Sequence, residues 1–371
     1  MNIKSLETFT NEFVSLVRVT TTDGETGWGQ ISPYTADVSA HAFHRLVAPH
    51  ALGKSAGETN DDIGGLIDFV SEKEHKFSGS VMCRALCGLD TALWDLHGKR
   101  KGKPVVELLG GTARPFRVYA SSMRRDITPE DEARRMAELR DAHGYDAFKF
   151  RVGSECGHDQ DEWPGRTEAV VKQVRAALGD DATLLVDANS CYTPKKAIEV
   201  GRMLEDHGVV HFEEPCPYWE LDWTREVTAA LNLDVTGGEQ DNSIPLWKYM
   251  INSKVVDVIQ PDICYLGGLS RTLRVAGMGA AAGLPCTPHS ANLSMVTVFT
   301  LHMMGAIPNA GPYVEFSIEP NEGYYPWQEG LFDPVLVARD GKVQIPEGPG
   351  WGVEVSEDWL AAADYQISEL D

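Results

Sequence analysis

Positive charge is scarce in this chain: Lys and Arg number 33 against 55 Asp and Glu, a formal net charge of -22. A surface that negative repels phosphate backbones, which excludes nucleic acid as a partner. Cysteine pairs at metal or disulfide spacing are missing too. The seven cysteines (83, 87, 156, 191, 216, 264 and 286) form no CxxC, and none stands with His at zinc spacing. That pattern reads as reduced thiols in a cytosol. Cys83 and Cys87, one helical turn apart, read as core packing rather than as a metal site. No apolar run approaches the ~18 residues of a membrane span. The opening MNIKSLETFTNEF has neither an apolar core nor a cleavage site. The expectation is a soluble, cytoplasmic protein without membrane or nucleic-acid partners. No low-complexity stretch or flexible linker is present, so the parts of the chain are expected to pack as one body.

What is present is a rhythm. At 371 residues, 43% hydrophobic and 24% charged, the chain has room for a barrel of ordinary size and an accessory domain. Residues 2–20 alternate as strand, TTDGETGWGQ supplies a DG hairpin turn, and a second strand follows near Gly27–Ile31. Pro33 to Ser39 reads as a polar loop, followed by helical stretches to about residue 75. SVMCRALCGLDTALWDLHGKR is the strongest helix of this half, with Val81, Ala85, Leu89, Ala92, Leu93 and Leu96 at helical spacing. Pro104 and Gly110–Gly111 then mark a boundary. From Arg117 the pattern becomes strand, helix, strand. Thr128 with Glu130 and Asp131 caps a helix to about His143, and further helices are predicted near 165–178, 194–207, 221–231, 244–253, 269–282 and 291–305. Past Phe316 come the turn-rich, aromatic GYYPWQEGLF and PEGPGWGVE. The domain expectation is 1–115 for an N-terminal α+β cap, 116–322 for a barrel, and 323–371 for a segment returning to the cap.

The predicted strands end in ionisable residues: Lys149 and Arg151, Asp187, Glu213, Glu239, Asp262, His289 and Glu315. From Asp187 onward their spacings are 23–27 residues, one strand plus one helix with short loops. Barrels aim such groups at the C-terminal mouth of their strands. Asp187, Glu213 and Glu239 end consecutive strands, where three carboxylates repel unless protons or a cation offset them. Oxygen ligands without Cys or His favour a hard ion, and Mg²⁺ with open positions fits. Lys149 and Arg151, two apart on one strand, share a face. Asp262 beside His289 fixes its tautomer and raises its basicity. The set suits removal of a proton next to a carboxylate, with a cation offsetting the developing charge.

On these residues the chain resembles the enolase superfamily, in its mandelate racemase subgroup. The resemblance spans nearly the whole length, from GWGQ and LWDLHGKRKGKPVVELLGG through KFR, VDAN, FEEP, GGEQ, QPD with GG following, TPHS and the strand-eight Glu to PGWGVE. It implies an α/β fold, a modified TIM barrel (β/α)7β with an N-terminal α+β capping domain. It also implies one Mg²⁺ on Asp187, Glu213 and Glu239, with Glu214 behind them. His289 with Asp262 becomes the general base, Glu315 a partner of the substrate carboxylate, and Asn189 a polar substrate contact. Residues 31–40 match the capping loop, which makes Tyr34, Thr35 and His41 candidates for substrate contact, along with His158 and Trp163 from the loop after strand two. A homo-oligomer acting on a small carboxylate is implied as well.

One residue departs from the pattern. Many relatives carry Lys-x-Lys, whose second Lys is a base facing the histidine, and here that position is Arg151. A guanidinium is a poor base at neutral pH. The resulting expectation is Mg²⁺-dependent dehydration of a sugar acid, an aldonate or aldarate, to a 2-keto-3-deoxy acid. His289 takes the C2 proton, and either His289 or Lys149 gives acid help to the leaving hydroxyl. The alternatives are a racemase or epimerase with Lys149 as second base, a muconate-type cycloisomerase, and a non-catalytic barrel.

Overall fold

A computed structural model describes residues 1–319 and 330–370. The first sheet is antiparallel and four-stranded, formed by β1 (Ile3–Thr10), β2 (Ser15–Thr21) and β3 (Thr26–Ile31) in that order, with the C-terminal strand Asp364–Glu369 on the free edge of β1. The single stretch expected over residues 2–20 is thus two strands. The turn between them is built by Asn11, whose side-chain oxygen accepts from the N–H groups of Phe13 (2.9 Å) and Val14 (2.7 Å). The chain's last strand lies against its first, with Ser5 opposite Glu369.

The helix Ser80–Lys101 packs across this sheet, buried from Met82 to Gly98 apart from half-buried Arg84, and Gly102 ends it in the left-handed conformation (φ 62°). The approach is close because β3 presents glycine. A Cβ on Gly29 would stand 2.4 Å from Ala92 N, and one on Gly27 would stand 2.3 Å from Ala92 O. The GWG triplet is therefore a packing motif, with both glycines facing the helix. Asp95 ties three segments together, accepting from Trp28 N (2.7 Å) and Trp351 N (3.0 Å) and pairing with Lys99 (2.7 Å). The predicted polar loop 33–39 is shorter than expected, since a helix, Ala36–Ala42, starts inside it behind Tyr34 and Thr35, both at positive φ.

The second sheet is parallel and curled. Its strands are β4 (Pro115–Ser121), β5 (Ala147–Arg151), β6 (Thr183–Asp187), β7 (Val209–Glu213), β8 (Asp234–Gly237), β9 (Val258–Ile259) and β10 (Val314–Ser317), with β10 paired to β4. Single parallel bridges, Ile259 to Cys286 and Cys286 to Ala310, stand in for the seventh stave and close the ring. A helix follows each of the first seven staves, among them Pro129–His143, Arg166–Leu178, Pro194–Asp206 and Met295–Met304. This is the (β/α)7β barrel, covered by the antiparallel sheet and its helix. Thr128 caps its helix as expected, accepting from Asp131 N at 3.1 Å. Among the described residues no helix is long and apolar enough to cross a membrane. Most of GYYPWQEGLF lies outside the described residues.

Three of the charged residues expected at strand ends sit in the loops just beyond. Glu239 follows β8 across Gly238 (φ +108°). Asp262 caps a short helix, Ile263–Leu266, rather than ending a strand. His289 follows the lone bridging residue Cys286. Loop geometry releases these side chains from strand alternation and lets them aim at the axis.

Candidate active site

Register brings the floor together. Parallel pairing sets Arg151 beside Asp187 and Asp187 beside Glu213. Lys149, fully buried, donates to both oxygens of Glu213 (3.0 and 2.9 Å) and meets Glu315 at 2.7 Å. Arg151 is bonded to Asp187 and donates to Asn189 Oδ1 (3.0 Å) and Ser122 O (3.2 Å). Asn189, at φ 39°, turns back on Asp187 through its backbone N–H (2.8 Å) and its side-chain amide (3.2 Å). Glu315 is held by Ser121 Oγ (2.8 Å) and Ser290 N (2.9 Å).

The opposite wall carries the histidine. Asp262 Oδ1 accepts from the N–H groups of Cys264 (2.7 Å) and Tyr265 (2.9 Å), which leaves Oδ2 for His289 Nδ1 at 2.7 Å. A carboxylate only accepts, so the proton of neutral His289 resides on Nδ1 and the lone pair on Nε2. Nε2 stands 3.4 Å from Glu239 Oε2. Burial alone would lower the His289 pKa, but Glu239, the Asp262 hydrogen bond and Glu315 together raise it to about 9.

The carboxylates are not alike. Burial would raise Glu213, yet Lys149 and His211 hold it well below the usual range. Glu239 is raised by burial and by Glu213, against the pull of His289. Glu214 is pushed well above its ordinary value by burial and by Glu239 and Glu213, and its buried Oε1 has no hydrogen-bond partner. Positive charge is short on this side, and an all-oxygen donor set that lacks it is the chemistry of a hard divalent cation. As the side chains stand, no three His, Cys, Asp or Glu among the described residues are close enough to share an ion. Asp187 and Glu213 are each engaged by a cationic side chain, Arg151 and Lys149.

Between these walls and the cap lies a cavity of about 880 Å³. His289, Glu239, Glu214, Asn189 and Arg151 line it from the barrel, and Tyr34, Thr35 and Arg84 from the cap. Lys149, Asp187, Glu213, Asp262 and Glu315 lie beneath its surface, outside the lining. His158 is exposed and outside the lining, although Glu155 and Cys156 of the same loop are in it, and Asp159 next to it is pinned to Thr193 (2.7 and 3.0 Å). His41 and Trp163 are outside it as well, Trp163 stacking on Arg166. Sequence reasoning missed Arg84, Arg125, Gln240 and Tyr265 in the lining, and read Glu214 as lying behind the ligands. The sharp turn after Glu213 (Glu214 φ 42°) brings the buried second glutamate to the cavity wall. Arg84 carried a signal, a lone basic residue within an otherwise buried helix face. Arg125 carried none.

Comparison with known proteins bears on the family and the fold. Residues 3–110 match the mandelate racemase / muconate lactonizing enzyme N-terminal domain, and residues 131–359 the enolase C-terminal domain-like family. The chain belongs to the mandelate racemase/muconate lactonizing enzyme family of the enolase superfamily. Among curated members, D-galactarolactone cycloisomerase of Agrobacterium fabrum is 31% identical over 93% of this chain and 89% of its own. Arabinonate dehydratase of Saccharolobus solfataricus is 26% identical over 96% and 91%. Among solved structures, a provisionally named racemase from Roseobacter denitrificans is 58% identical over 100% of both chains, with a TM-score of 0.97. A mandelate racemase/muconate lactonizing protein from Paracoccus denitrificans, complexed with magnesium, is 28% identical over 100% of this chain and 99% of its own, TM-score 0.87. A structure in this set thus holds magnesium, and the curated relatives are named for a galactarolactone cycloisomerase and an arabinonate dehydratase.

Proposed function

We propose that this family member dehydrates a sugar acid to a 2-keto-3-deoxy acid with Mg²⁺ held by Asp187, Glu213 and Glu239. The observation that carries the reading is the asymmetry of the two walls. One presents His289, whose Nε2 is the basic nitrogen whenever the ring is neutral, and the facing one presents Arg151. One base and one fixed cation can remove a proton from one face but cannot return it to the other.

Mg²⁺ supplies positive charge against the negative charge that grows on the substrate carboxylate as the α-proton leaves. Asp187, Glu213 and Glu239 would hold the ion, and Asp187 would then give up its contact with Arg151. His289 Nε2 takes the C2 proton while Asp262 holds the ring and stabilises the imidazolium. The C3–O bond then breaks, the hydroxyl leaves as water with the proton from His289, and the enol tautomerises to the ketone. Lys149, buried below Glu213 and Glu315, does not reach the cavity, so the returned proton falls to His289. Lys149 offsets the floor's negative charge, and Glu315 completes the cluster beneath the substrate.

The racemase description of the 58%-identical structure favours a second reading, epimerisation. It requires a base on the Arg151 side, where Lys149 is engaged by two carboxylates. The test is purified protein with Mg²⁺ and a panel of sugar mono- and diacids, with 2-keto product trapped as its semicarbazone and substrate recovered from D₂O. A keto product that disappears in His289→Asn supports dehydration. Deuterium in recovered acid together with an accumulating epimer, without a keto product, would establish epimerisation instead.

A further inference from the structure

We infer that the cavity takes a sugar with a carboxylate at each end, and that Arg84 of the cap binds the end remote from the chemistry. This rests on the dehydratase reading for the reacting end only. Three arginines line the cavity: Arg84, Arg125 and Arg151. Arg151 lies on the floor beside Asp187, where it donates to Asn189 Oδ1 and Ser122 O. Arg125 donates to Gly153 O (3.1 Å) and Asn189 Oδ1 (2.8 Å), which places it on the same side as Arg151. Burial and the Arg151 charge push its pKa down to about 10. It belongs to the floor of the site.

Arg84 is different. It comes from the cap helix and stands across from the floor, its guanidinium 3.6 Å over the Tyr265 ring, whose neighbour in turn is His289 (5.7 Å between centroids). Its hydrogen-bond partners are hydroxyls alone: Nη1 donates to Ser32 Oγ (2.6 Å) and Nε to Ser80 Oγ (3.1 Å). Among the described residues no carboxylate pairs with it, in a chain with 55 acidic residues against 33 basic. Two neutral acceptors and one aromatic face hold the side chain in place without offsetting its charge, and leave donors of the fork for a ligand. A planar fork fixed in this way is suited to bidentate binding of a carboxylate. A cavity of about 880 Å³ has room for a six-carbon chain reaching from the carboxylate floor to the cap. A neutral terminal hydroxymethyl group would leave the guanidinium unpaired.

The experiment compares galactarate, a six-carbon diacid, with galactonate, the matching monoacid, by calorimetric binding and by turnover, in wild type, Arg84→Gln and Arg84→Lys with Mg²⁺ present. Wild type binds the diacid more tightly. In Arg84→Gln the diacid-to-monoacid affinity ratio falls on the order of tenfold to a hundredfold, the value of one charged hydrogen-bonded contact, and Arg84→Lys restores part of it. Equal affinity for the two acids in wild type, or a Gln variant that weakens both alike, overturns the inference. Turnover is read separately. Selective diacid binding that depends on Arg84 without a keto product overturns the dehydratase reading and upholds this one. Keto product from the monoacid in preference to the diacid does the reverse.

Discussion

The barrel mouth and the cap are built on opposite principles. At the mouth, buried charges crowd: Lys149 and His211 compensate Glu213, while Glu214 and Glu239 bear the cost of burial and of their negative neighbours. In the cap, Ala, Leu and Gly interlock with almost no room, as along β3 and the helix Ser80–Lys101. The mouth holds its residues in place at a cost in stability, and the cap and barrel core offset that cost. Substitutions should therefore separate into those that end chemistry with little loss of stability and those that do the reverse.

The largest expected effect is at His289. His289→Asn removes the base and should lower turnover by on the order of 10³-fold or more, with little change in melting temperature. A His289→Asn protein that unfolded instead would show that the mouth is structural. Asp187→Asn should abolish Mg²⁺ binding by calorimetry, because one of three ligands loses its charge, while Arg151 keeps an amide oxygen to bond. If Mg²⁺ still binds with unaltered affinity, the ion is held elsewhere.

The packed region should respond in the other currency. His302 is fully buried, with Nδ1 accepting from Val106 N (3.1 Å) and Nε2 donating to Trp351 O (3.0 Å). Burial lowers its pKa to about 4, against 6.5 for the free side chain. The unfolded chain therefore binds more protons than the folded one between those values. The stability His302 contributes is complete above pH 6.5 and lost as pH falls toward 4, a difference of about 3 kcal/mol. Denaturant melts across that range should show the slope in wild type and a shallower one in His302→Gln. Gly29→Ala should cost about 1–3 kcal/mol by overpacking against Ala92, read as a lower melting temperature. Glu239→Gln should sharpen the contrast most finely: it removes one of the crowded negative charges, so the metal-free protein should be slightly more stable, by about 1 kcal/mol or less, although Mg²⁺ binds worse. Destabilisation there would mean the mouth is not under electrostatic load.

The fold was legible where physical periodicity is strong. Helices predicted at 165–178 and 194–207 stand at Arg166–Leu178 and Pro194–Asp206. The turn at Asn11 was missed because its signal is one side chain capping two N–H groups between runs of like alternation. Strand ends at Glu239, Asp262 and His289 were overextended, since apolar runs continue past the point where hydrogen-bonded pairing stops. The lining of the cavity was the least legible part. Tyr34 and Asn189 lie on it and His158 does not, although all three have left-handed backbone conformations. Tertiary position, not local backbone conformation, separates them.

The sequence alone determined the element order and the polar residue types that close each strand, because hydrophobic period and residue chemistry are local properties. It also determined the Arg at position 151, and with it the chemical inequality of the two walls. Only the tertiary structure decided that Lys149 lies under the floor rather than in the cavity, that Glu214 lines the cavity wall, and that Arg84 of the cap faces the site across the barrel mouth. These depend on register, on turns of one or two residues, and on the docking of segments more than 150 residues apart, such as Cys83 against Asn242. Burial and charge compensation are set by such distant neighbours, and no local stretch of sequence contains them.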